Sequence, residues 1–125
     1  MHGGANAYAR TAQVAVGGRE LEALLLMKAA TRLQGLKDGW DGPGPALDEA
    51  LSYNRKLWTV LVASATGPDN PLPVPIKQNI ANLGLFVFKQ TVAAMAEPAP
   101  GKLAVLVTIN REIAAGLRAS SAAAA

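Results

Sequence analysis

The 125-residue chain is half hydrophobic and has no cysteine. It is long enough for one domain with a real core, and it excludes disulfides and thiolate zinc sites. Its 12 basic and 9 acidic residues give a formal net charge of +3, but the Lys and Arg side chains are scattered and form no dense block of the kind a dedicated nucleic-acid binder shows.

Met1–Ala5 reads as loose. Asn6 is placed to cap a short additional helix over Ala7–Val16, which Gly17-Gly18 then breaks. A stronger helix is predicted from Arg19 to Leu36. Its apolar stripe runs Ala23, Leu26, Ala30, Leu33 and Leu36, widened by Leu25 and Ala29, with Glu20 and Glu22 in the first turn. "DGWDGPGP" at Asp38–Pro45 stops it, because glycines and prolines at that density cannot continue a helix. Trp40 is stranded in this break, either tucked over a core edge or exposed for a partner.

Pro45 suits the first position of a second helix, Pro45–Ala65, with Asp48 and Glu49 near its start. Its stripe is Leu47, Leu51, Asn54, Trp58, Leu61 and Ala65. "TGPDNPLPVP" at Thr66–Pro75 is extended, since each proline biases its predecessor away from helix. A third helix over Pro75–Ala96 carries Ile76, Ile80, Leu83, Val87, Thr91 and Ala94 on one side. Leu85, Phe86 and Phe88 make it apolar almost all round, so it is either central in the fold or exposed at an interface. "EPAPG" at Glu97–Gly101 breaks the chain again. A last helix over Lys102–Leu117 places Leu103, Leu106, Val107, Asn110, Ile113, Ala114 and Leu117 on one side, and residues 119–125 read as a frayed tail. The expected fold is all-α, a compact bundle of four main helices with a short additional N-terminal helix, forming one domain over residues 1–118.

Two stretches share a pattern. "YNRKLW" (Tyr53–Trp58) and "INREIA" (Ile109–Ala114) each set an Asn-Arg pair on a helix, the Asn on the apolar side and the Arg on its flank. A buried carboxamide without partners costs about 1–3 kcal/mol. Asn54 and Asn110 are therefore expected to be structural, bonded to a loop backbone or to each other, with a partner's backbone or a ligand as alternatives. Arg55 and Arg111 are either solvated or a positive pair beside a groove.

An enzyme is not expected. The single histidine, His2, stands at a terminus; no phosphate loop or metal-ligand cluster is apparent, and no cofactor is implied. No apolar stretch approaches the ~20 residues needed to cross a bilayer, and the opening "MHGGANAYARTAQVAVGG" does not read as a signal peptide. The expectation is a cytoplasmic protein with no membrane partner.

The chain resembles the flagellar biosynthesis regulator family FlaF. The resemblance is carried by an ordered set: Ala7-Tyr8, Arg19-Glu20, Leu47, Ala50-Leu51, Asn54, Leu57-Trp58, Asn70, Leu72-Pro73, Asn82-Leu83, Phe86-Val87, Asn110-Arg111, Ile113 and Gly116-Leu117. It implies a role in flagellin synthesis or secretion, after transcription and alongside the repressor-like protein FlbT. A flagellin export chaperone would hold a helical terminus of flagellin against an apolar groove; Trp40, Leu85, Phe86 and Phe88 would line it, flanked by Arg55 and Arg111. A translational regulator would instead touch FlbT or flagellin messenger RNA, and would need Arg55, Lys56, Lys77, Lys89 and Arg111 on one face. Homo-oligomerisation through the third helix is a further possibility.

Overall fold

The computed structural model describes residues 4–124, and the side chains of residues 18–119. Expectations for Met1, His2 and Gly3, and for side chains outside 18–119, lie outside the described residues. Four α-helices and no strand make up the described chain: α1 (Gly4–Asp38), α2 (Pro45–Ala65), α3 (Val74–Ala96) and α4 (Gly101–Ala124). Of the four breaks read from the sequence, the last three are the connections.

Two helix boundaries differ from expectation by more than two residues. Gly17-Gly18 does not break the chain; α1 runs through it, so the short N-terminal helix and the long helix are one, and Glu20 and Glu22 lie mid-helix instead of in a first turn. A glycine inside a helix costs about 1 kcal/mol relative to alanine but keeps its backbone hydrogen bonds, and α1 packs against both α2 and α4. Secondly, α4 continues past Leu117 to Ala124, as a run of alanines, the best helix former, allows.

Short connections fold each helix back on the one before it. α1 touches α2 and α4, and α3 touches α2 and α4, whereas α1 with α3 and α2 with α4 have no close backbone approach. The four helices therefore form a ring, and two diagonals cross its centre. The core fills that centre from every stripe: Leu26 and Leu33 from α1, Leu51, Trp58 and Leu61 from α2, Ile80 and Val87 from α3, Leu103, Leu106 and Leu117 from α4. Burying each large side chain contributes about 1.5–3 kcal/mol against the chain entropy lost.

Local chemistry fixes the ends. Pro45 occupies the first turn of α2 with Asp48 beside it. Past the end of α2, Asn70 clasps the turn: its Nδ2 donates to Ser64 O (3.0 Å) and its Oδ1 accepts from Leu72 N (2.9 Å). Lys102, near the start of α4, donates from Nζ to Glu97 O (2.6 Å), just past α3. Gly42 has φ +86, a left-handed conformation that favours glycine in the α1–α2 connection. α2 and α3 approach so closely that a Cβ at Gly84 would stand 2.5 Å from Val62 Cγ2.

Candidate functional site

The two asparagines meet at the centre of the ring. Trp58 Nε1 donates to Asn110 Oδ1 at 2.8 Å, and Asn110 Nδ2 donates to Asn54 Oδ1 at 2.7 Å. All three side chains are fully buried. The helices that hold them, α2 and α4, are diagonal partners, so this chain of hydrogen bonds spans the bundle where backbones do not approach. Its direction is forced. An indole N–H can only donate, so Asn110 must turn its oxygen to Trp58 and its nitrogen to Asn54; Asn54 must then present its oxygen. That leaves Asn54 Nδ2, buried, with no hydrogen-bond partner among the described residues.

Arg55 and Arg111, one step after each asparagine, are exposed. The remaining predicted site residues divide. Leu85 is 63 % exposed and Phe86 42 %, while Phe88 and Trp40 are half-buried against the core. Leu85, Phe86 and Phe88 share α3; Trp40 lies in the α1–α2 connection, where a cleft of about 300 Å³ runs between Leu36 and Leu47. Trp40 is not part of the α3 surface.

Three features were not read from the sequence. Val92 (64 %) and Met95 (39 %) extend the exposed apolar surface of α3; they stand seven and ten residues after Leu85, outside the core stripe. Gly84 marks the tight α2–α3 approach. Arg19 is buried, beside a cleft of about 500 Å³ that Glu22, Ser64, Asp69 and Asn70 also line. Burial pushes the Glu22 carboxyl above its ordinary value, and the Arg19 charge opposes this only in part.

Among the described residues no group of three or more His, Asp or Glu could hold a metal ion, and no helix is long and apolar enough to cross a membrane. Lys77 is engaged internally, its Nζ donating to Gly67 O at 3.1 Å.

No curated protein and no solved structure matches the chain. The family model "Flagellar protein FlaF" matches residues 4–117, a span that takes in α1, α2, α3, both central asparagines and most of α4. By that match the chain belongs to the flagellar protein FlaF family.

Proposed function

We propose that this FlaF-family protein is a non-enzymatic, cytoplasmic binding protein for flagellin, promoting flagellin synthesis or secretion as an export chaperone. The observation that carries the reading is the apolar surface of α3. Leu85, Val92 and Met95 are large, apolar and exposed on one side of α3, and helical partners dock on such surfaces by laying an apolar face into them. Family membership supplies the flagellar context.

Co-purification of the untagged protein with flagellin, followed by calorimetry against purified flagellin, tests the proposal. Saturable one-to-one binding supports a chaperone. Capture of FlbT or flagellin messenger RNA in place of flagellin would move the function to post-transcriptional control and refute the chaperone reading.

A further inference from the structure

α3 carries two apolar stripes, and the bundle uses one. Ile80, Gly84, Val87, Thr91 and Ala94 are buried against the ring. Beside them runs a second stripe, Ala81, Leu85, Phe88, Val92 and Met95, with successive spacings of four, three, four and three residues. That alternation is the a/d pattern of a helix seam that receives another helix. Leu85, Val92 and Met95 are exposed, and Phe88 is half-buried. Val74, seven residues before Ala81 and 63 % exposed, stands in line with the stripe at the start of α3, with Gln78 at the position between them. At 1.5 Å per residue the line from Val74 to Met95 runs roughly 30 Å, room for about twenty helical residues of a partner.

The charged side chains that border the stripe are predominantly basic. α3 contains Lys77 and Lys89 and no Asp or Glu. Lys89 is exposed, adjoining Phe88 and one turn past Leu85. The other edge is walled by α2, since Val62 closes on Gly84. Arg55 lies two turns before Val62 on the same side of α2 and is exposed; Asp48, two turns further back, is the one carboxylate on that side. A second copy of this chain docked through α3 would bring basic edges together with no carboxylate on either α3 to answer them. An amphipathic helix with acidic flanks would meet Lys89 on one edge and Arg55 on the other with opposite charge.

We propose that the second stripe of α3 is the seat of one partner helix, amphipathic, with apolar residues in three-four spacing and carboxylates on its flanks. This rests on the reading that flagellin is the partner. It adds where the flagellin helix lies and what charge it presents, and it leaves Trp40 and Phe86 outside the seam.

The test uses the full chain and purified monomeric flagellin, with calorimetry, sedimentation and thermal melting. In the Leu85→Glu/Val92→Glu variant flagellin affinity is expected to fall about 100-fold or more, at an unchanged melting midpoint. Lys89→Glu is expected to lose about tenfold and to flatten the salt dependence of binding. Val60→Glu, on the exposed back of α2, is expected to bind like wild type. A photo-crosslinker at position 92, but not at 60, is expected to capture flagellin; this places the seam even if a charged variant unfolds. Wild-type affinity in the double variant, with no crosslink at 92, overturns the seam while leaving flagellin as the partner. No flagellin binding by the wild type overturns both. A wild-type dimer that the double variant abolishes assigns the stripe to a second copy and overturns the proposal.

Discussion

Asn54 and Asn110 stand in matching sequence contexts, yet their truncation to alanine is expected to have very different costs. Both changes remove the same three side-chain atoms from fully buried sites, so the cavity contributions are similar and largely cancel in the comparison. The hydrogen bonds do not cancel. Asn110→Ala strands two groups at once, Trp58 Nε1 and Asn54 Oδ1, while Asn54 Nδ2 stays unpartnered. At about 1–3 kcal/mol per stranded group, this adds ~2–6 kcal/mol to the cavity cost. Asn54→Ala strands Asn110 Nδ2 but deletes the nitrogen that was already without a partner, so the number of stranded donors does not change. Urea unfolding of the two variants, followed by far-ultraviolet circular dichroism at one pH, measures the difference directly. Asn110→Ala should be the less stable by at least ~2 kcal/mol, a large share of the 5–15 kcal/mol typical of a domain. Equal losses, or a greater loss from Asn54→Ala, would refute the assigned direction of the hydrogen-bond chain.

Gly84→Ala should destabilise by about 1–3 kcal/mol despite the helix propensity gained, because the new Cβ meets Val62 Cγ2 at 2.5 Å and a β-branched side chain in a helix cannot swing away; urea titration should show Val62→Ala restoring much of the loss in the double variant. Glu22 has a folded pKa above its ordinary value, so the folded state holds its proton more tightly than the unfolded chain. The stability linked to this is full below the unfolded value and is lost as pH rises through the raised one. Glu22→Gln escapes that loss, and its melting midpoint relative to wild type should rise between about pH 4 and pH 7; a pH-independent difference would contradict the burial effect. Glu49→Gln breaks the 3.2 Å ion pair with Arg32, but both side chains are well exposed, and the unfolding free energy should change by less than about 1 kcal/mol.

The helical frame was legible because each stripe repeats with helical period and each break is dense in Gly and Pro. The stripes of α2 and α4 are buried residue for residue, Leu47 to Ala65 and Leu103 to Leu117. Gly17-Gly18 misled because a glycine pair weakens a helix without forbidding it, and the neighbours that hold α1 together are remote in sequence. The all-round apolar character of α3 was visible, but its division into a buried and an exposed stripe was not, since that depends on which side α2 and α4 occupy. Asn54 and Asn110 could be read as polar members of apolar stripes. That Trp58 heads their hydrogen-bond chain, and so makes the two unequal, follows only from the diagonal placement of α2 and α4.

The two tryptophans give this chain a pair of optical reporters with separate meanings. Trp58 is sealed in the centre with its indole N–H held by an amide oxygen, so its emission should be blue-shifted and should move only when the diagonal opens, that is, on unfolding. Trp40 is half-buried in the α1–α2 connection, in a cleft lined by no residue of α3, so its quenching by added iodide or acrylamide registers changes at that cleft. A partner helix that seats on α3 should therefore leave both signals almost unchanged, and a partner that remodels the bundle should disturb Trp58 first.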